Sequence, residues 1–259
     1  MEITLNQLRI AMPNASFSNC VKYLPHFNET FLEFEINTKM RIAHFLAQLA
    51  WESGSLKYTE EIASGKAYEN RKDLGNTKEG DGMRFKGRGL IQITGRSNYR
   101  QYLEFALGRK LEESDKKDEV DYYKHLLSEP KDAVRSAGWF WKQHKLNPLA
   151  DKDEFTKITR IINGSGITVQ KRLPCLRSAK IAMGLKKDPN KQQKSSEQNA
   201  NNKETQTGHK PQVDTSIHSS CTDSVLISSD ISELVENYQI KTSSALVTGN
   251  PQYNCSSHL

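Results

Sequence analysis

The chain has 259 residues, 36% hydrophobic and 26% charged, with a formal net charge of +6. That length accommodates one large domain or two smaller ones, and no run approaches the roughly 18 consecutive apolar residues of a membrane span. The four cysteines, Cys20, Cys175, Cys221 and Cys255, lie far apart without Cys-x-x-Cys spacing, which argues against a structural zinc site and a dense disulfide framework. They read as free thiols made in a reducing compartment.

The opening residues Met1-Glu-Ile-Thr-Leu-Asn-Gln7 carry an acid at position 2 and no basic stretch before an apolar core, so no Sec signal is expected and export would need another route. Charge is unevenly shared. Residues 1–187 carry 32 Lys and Arg against 23 Asp and Glu, a net +9, whereas residues 188–259 carry 5 against 8, a net −3. A basic front part suits a polyanion, whether nucleic acid, an anionic membrane or a bacterial envelope.

The first element is predicted as a helix over Thr4–Met12, ending at Pro13-Asn14, and the second as an amphipathic helix over Leu24–Phe34. Thr38 is a candidate N-cap for a third helix, Lys39–Glu52, in which Ile42, Phe45, Leu46, Leu49 and Ala50 recur at helical spacing and Ser53-Gly54 forms the stop. Counting from Phe45 and Leu49 places Glu52 on or beside the buried stripe, in the last turn. Burial and the negative end of the helix dipole both disfavour an ionised carboxyl there, so its pKa is expected to rise, as suits a general acid. The residues alone leave open a Glu at a frayed helix end. His26 and His44 have no partners at metal-ligand spacing and are assigned core or surface roles, with no metal or other cofactor expected.

From Ala63 to Arg88 the chain is polar and glycine-rich, so any regular elements must be short, and so long a loop usually serves function. Leu90-Ile-Gln-Ile-Thr94 shows β-type alternation. Gly87-Arg88-Gly89 lacks the companions of a phosphate cradle, which discounts a nucleotide site. The charged stretch Arg109–Asp121 reads as a solvated helix or loop, and Ala133–Trp141 as an apolar helix with core aromatics. Phe155–Asn163 is a helix closed by Asn-Gly, and Val169–Met183 resumes helical spacing. Beyond Leu185 the sequence is polar and nearly devoid of apolar residues, so residues 188–259 read as a disordered linker and tail of unknown role, with a weak apolar patch at Val225–Ile227 and Leu234-Val235.

Glu52 followed by Glu60-Glu61, ahead of a glycine-rich wall and a hydroxyl, is the kind of acidic pair glycoside hydrolysis needs. The blocks Ala47-Gln48-x-Ala50-x-Glu52-Ser53-Gly54, Tyr58-x-Glu60-Glu61, Tyr68-Glu69-x-Arg71-x-Asp73-Leu74-Gly75-Asn76, Phe85-Lys-Gly-Arg-Gly-Leu-Ile-Gln-Ile-Thr-Gly-Arg-x-Asn98-Tyr99 and Ile161-Ile-Asn163-Gly164 say more. Together they resemble the family 19 glycoside hydrolases, in their small bacterial and phage form, over roughly residues 1–185. The resemblance implies a mainly α-helical, lysozyme-like fold with a glycan cleft between two lobes, and inverting cleavage of β-1,4 bonds beside N-acetylglucosamine. By position it makes Glu52 the general acid, Glu61 the general base and Thr94 the hydroxyl that helps hold the attacking water. Gln92, Asn98 and Tyr99 would line the sugar subsites, Asn163 the far wall, and Arg172 would serve the acidic pair and the substrate. Glu60 and Glu69 are the alternative bases.

Two departures from the family pattern stand out: Trp51 occupies the usual place of a His, and the acidic residue that plant members carry shortly after the Asn-Gly turn is missing. The implied partner is a polysaccharide. Peptidoglycan is the leading expectation, met as an endolysin or delivered effector acting at the bacterial cell wall by a monomer whose tail docks an unknown partner. Chitin is the alternative. An inactive glycan-binding module is a further one, and nucleic acid is not expected.

Overall fold

The computed structural model describes residues 1–114, 116–164 and 166–186. The expected tail over 188–259, its apolar patch, Cys221 and Cys255 lie outside the described residues, as does Ser165 of the Asn-Gly turn. Among the described residues the protein is mostly helical and has no strand.

Helix α1, Leu5–Ala11, begins at Thr4, whose hydroxyl accepts from the Gln7 amide while the Gln7 side chain accepts from the Thr4 amide. Helix α2, Phe17–Glu33, starts earlier than the apolar pattern suggests, because Ser16 caps it by accepting from Asn19 N at 3.1 Å. Pro25 lies inside α2 without ending it; burial of Tyr23, Phe27, Thr30 and Phe31 along one face outweighs the lost backbone bond.

Helix α3, Lys39–Glu52, has the predicted bounds, with Thr38 accepting from Arg41 N at 3.2 Å. It is the central element: every residue from Ile42 to Ala50 is buried, and Phe45 meets Trp141 edge-on at 5.3 Å. Helix α10, Val169–Ala182, packs along α3 and against α1, while α8, Asn147–Asp151, joins α3 to α9, Phe155–Asn163. Helix α7, Pro130–Gln143, lies on α2 and buries Trp139 and Trp141 as expected. His44 is fully buried in α3 with Nε2 2.8 Å from Asp153 Oδ1, a core role.

A second group of short elements stands beside these helices: turns of 3-10 helix at Lys66–Tyr68, Lys72–Leu74 and Lys124–Ser128, together with α4, Asp81–Arg84, α5, Arg96–Leu107, and α6, Glu119–Tyr123. The polar 63–88 segment thus holds only short pieces, as its glycines require. Two expectations need correction here. Leu90–Thr94 is a tight turn, closed by Arg88 N to Ile93 O at 3.0 Å and Ile93 N to Arg88 O at 2.8 Å. Leu90, Ile91 and Ile93 are all buried, and Gly89 and Gln92 adopt left-handed backbone, so the apparent period of two has no exposed face to serve.

The charged stretch from Arg109 to Asp121 is not simply solvated. Glu119 is buried and accepts from Arg109 at 2.7 and 3.0 Å, and Asp118 reaches Arg96 Nη1 at 2.7 Å. Arg96, itself buried, also holds the fully buried Asp81 through two bonds of 2.9 and 2.6 Å and lies over the Phe85 ring. This ion network pins the loop that carries half of the site.

Candidate active site

The candidate residues fall into two separately built groups, or walls. The first is built on the C-terminal end of α3. Glu52 is half-buried in the last turn, where Oε1 lies 2.6 Å from Nη2 of Arg172 on α10. Burial pushes its carboxyl above the ordinary glutamate range, and the Arg172 charge only partly offsets this. Arg172 is 1% exposed and is gripped from three sides: Nη1 donates to Gln48 Oε1 at 2.7 Å, Nε donates to Thr168 Oγ1 at 3.0 Å, and the guanidinium lies 5.8 Å from the Trp51 ring centre. Gln48 in turn donates to Thr159 at 2.9 Å, and Asn163 donates to Thr168 at 3.1 Å.

The helix ends as it does because the Ser53 hydroxyl donates back to Leu49 O at 2.6 Å and accepts from Leu56 N at 2.9 Å. Gly54, Ser55 and Leu56 then run through three successive left-handed residues, two of them carrying side chains. Such backbone costs on the order of 1–2 kcal/mol per non-glycine residue and persists only where its surroundings hold it.

The second wall is a small antiparallel arrangement in which Thr59–Glu61 pairs with Gly87–Gly89, and Arg88 with Ile93. It fixes Glu61 by its backbone, with Glu61 N donating to Gly87 O at 2.9 Å, and by its side chain, which accepts from Tyr68 OH and from Gly87 N, both at 3.1 Å. The neighbouring acids are otherwise engaged. Glu60 meets both Lys86 and Arg88, at 3.1 and 3.0 Å; burial opposes ionisation there, but the two cations hold its carboxyl below the usual range. Glu69 accepts from the amides of Gly80 and Gly82 at 2.7 and 2.8 Å and shapes the loop.

The structure thus groups the expected residues unequally. Glu52, Arg172 and Asn163 share one wall of ion-pair and hydrogen-bond contacts, in which Arg172, 1% exposed, offers almost no surface to a sugar and pairs with Glu52 instead. Gln92, Thr94 and Asn98 share the other: Thr94 donates to Gln92 O at 2.9 Å and Asn98 to Thr94 O at 2.8 Å. Gln92 lies over Gly87, where any Cβ would stand 2.7 Å from Gln92 Oε1.

Tyr99 is a correction. It has no exposed surface, its hydroxyl donates to Lys86 O at 2.6 Å and accepts from Arg88 at 3.0 Å, and it serves as a buried prop for the Glu60–Arg88 segment. Sequence reasoning missed Gln48, Thr159 and Thr168 around Arg172, and Tyr68 beside Glu61. Gln48 was discoverable: it lies four residues before Glu52, one turn back on the same helix face.

Comparison with solved structures defines the class. The fold is shared with chitinase C from Streptomyces griseus at a TM-score of 0.53 and 20% identity, over 70% of this chain and 92% of that one. A bacterial family 19 chitinase gives the same TM-score and identity, over 70% of this chain and 95% of its own. At that identity the likeness is one of fold, the mostly helical fold of these glycosidases.

Sequence comparison goes further. The chain is 30% identical over 174 residues to a glycosyl hydrolase family 19 domain-containing protein of Haemophilus influenzae, spanning 55% of this chain and 80% of that relative. It is also 36% identical over 126 residues to an endochitinase of Arabidopsis thaliana, covering 49% of this chain and 40% of that protein. No family model matches the chain. The chain belongs to glycoside hydrolase family 19, and it is a glycosidase.

Proposed function

We propose that the protein cleaves β-1,4 bonds beside N-acetylglucosamine in peptidoglycan by an inverting mechanism. The observation that carries the chemistry is the contrast between its two carboxyls. Glu52 is half-buried, and burial raises its pKa in the direction that favours a proton held for the leaving oxygen. Glu61 belongs to the second wall, where Tyr68 OH and Gly87 N orient it, and would take a proton from the attacking water. Inversion asks for carboxyls about 6.5–9.5 Å apart with that water between them. The Thr94 hydroxyl donates to Gln92 O and keeps its lone pairs for a water hydrogen. Gln92, Asn98 and Asn163 supply amides for sugar hydroxyls and acetamido groups.

Peptidoglycan is favoured over chitin by the net +9 of residues 1–187, since its stem peptides bring carboxylates that chitin lacks. The place of action would be the bacterial cell wall, reached after phage lysis or by a dedicated secretion machine. Chitin is the second reading, favoured by the chitinase names of the Arabidopsis relative and the Streptomyces structure. Purified sacculi and N-acetylglucosamine oligomers, incubated side by side and followed for new reducing ends and anomeric configuration, decide between them. Release from sacculi that Glu52→Gln abolishes supports the proposal. Intact sacculi with cleaved oligomers mark a chitinase, and equal release by Glu52→Gln removes Glu52 as the acid.

A further inference from the structure

The positive charge of the catalytic part is concentrated in one stretch of the chain. Residues 1–154 are nearly balanced, with 24 Lys and Arg against 23 Asp and Glu, whereas residues 155–187 hold eight Lys and Arg and no acid. That acid-free stretch contains α9, α10 and the loop between them, the segment that supplies Asn163, Thr168 and Arg172 to the first wall.

Three of its cations are neutralised within the fold: Arg172 by Glu52, Lys180 by Asp153 and Lys157 by Glu154. Arg160, Lys171 and Arg177 are exposed, and among the described residues no carboxylate lies within ion-pair distance of them. Arg160 lies against the α9–α10 loop, its Nε only 3.0 Å from where a Cβ on Gly166 would stand. Lys171 directly precedes the Arg172 that holds Glu52. Exposed apolar side chains, Ile161, Ile167 and Leu173, lie among them, with Ile167 84% exposed. An unpaired run of one sign, interleaved with exposed apolar side chains and carried by the same segment that holds Arg172 against Glu52, suits a ligand that carries anionic groups along a partly apolar chain.

We infer that Arg160, Lys171 and Arg177 form a carboxylate-binding rim, which holds an acidic glycan by its side-branch carboxylates while the sugar backbone occupies the cleft. The inference rests on the reading of the site as a peptidoglycan-cleaving cleft and adds the residues that select an anionic glycan over a neutral one.

The test separates binding from cleavage. Full-length protein is cosedimented with purified sacculi and with insoluble chitin, at about 20 and about 300 mM salt, a range that shortens the screening length severalfold. The triple variant Arg160→Gln, Lys171→Gln, Arg177→Gln is compared with a triple variant of the same charge change elsewhere, Lys22→Gln, Lys131→Gln, Lys145→Gln. Three exposed ion pairs worth about twofold each predict that the rim variant binds sacculi about tenfold more weakly, with chitin binding far less affected, and that salt weakens the wild type likewise. The milder Lys171→Gln alone should lose about twofold. Equal losses on both polymers, an equal loss in the control variant, or salt-independent binding to sacculi would overturn the rim. So would salt-sensitive retention on DNA with none on sacculi. Because binding is read by sedimentation and cleavage by new reducing ends, a protein that binds sacculi through the rim but releases no reducing ends would refute the hydrolysis and leave the rim standing.

Discussion

Arg172 Nη2 lies 2.6 Å from Glu52 Oε1, so the carboxyl proposed to donate the proton is tied to a cation on a helix 120 residues further along the chain. Burial raises the Glu52 pKa and Arg172 lowers it, with burial the stronger influence. The pair therefore sets how far the acid remains protonated, and the alkaline limb of activity should follow it. Because folding raises this carboxyl's pKa, Glu52 also costs stability as pH climbs from the ordinary glutamate range through the raised value.

Replacing Arg172 by Gln removes the lowering influence. A pH profile of kcat is expected to show its alkaline limb displaced to higher pH, with kcat near the optimum reduced by roughly 10²-fold as Glu52 loses its anchor. An unmoved limb would show that Glu52 is not the titrating acid.

Gln48 gives a subtler change. It has no exposed surface, accepts from Arg172 and donates to Thr159, so Gln48→Leu leaves two buried polar groups without their bonds. A stability loss of about 1–3 kcal/mol is expected in denaturant titration, together with a lower kcat at little-changed KM. Gln48→Glu supplies an acceptor again and should restore the Arg172 contact. If stability falls while kcat stays at wild type, Gln48 supports the fold without positioning the acid.

The three acids of the second wall should separate by assay. Glu61→Gln is expected to lower kcat by about 10²–10⁴-fold with an unchanged melting temperature, as for loss of a general base. Glu60→Gln weakens contacts to Lys86 and Arg88 at a part-exposed site and should alter kcat only a few fold. Glu69→Gln removes charge from two backbone amide bonds that shape the Gly80–Gly82 loop, so its effect should be in stability. Activity lost at Glu60 and kept at Glu61 would reassign the base.

The Arg96 network predicts a large stability effect away from the chemistry. Burial disfavours the Asp81 charge, but Arg96 and the amides of Lys78 and Thr77 win and hold its carboxyl below the usual range. Its contribution is thus present above the ordinary Asp value of about 3.9 and is lost as pH falls through the lowered one. Asp81→Asn leaves the buried Arg96 short of a charge partner and is expected to cost about 3–5 kcal/mol, read from chemical denaturation at neutral pH. Arg96 Nη1 also donates to Glu113 at 2.5 Å, so a loss below 1 kcal/mol would mean that Glu113 and Asp118 satisfy Arg96 alone.

The amino-acid sequence by itself determined the helical elements, because their signals are local. Thr38, the apolar repeat from Ile42 to Ala50 and Ser53-Gly54 mark α3 from cap to stop, and the same count places Glu52 at the edge of its buried face. The family blocks pointed to the acidic pair for the same reason, since spacing and residue type are visible along the chain. Only the tertiary structure decided how each acid is held. Glu60, Glu61 and Glu69 read alike, and they differ through partners 7 to 28 residues away: two cations for Glu60, a hydroxyl and an amide for Glu61, two loop amides for Glu69. The turn at Leu90–Thr94 imitated a strand because every apolar residue in it is buried, and Tyr99 imitated a cleft residue because burial is not written in its neighbours. Arg172 depends most on tertiary structure. Its charge meets Glu52 only because α10 packs along α3, a contact that no local pattern in either helix encodes.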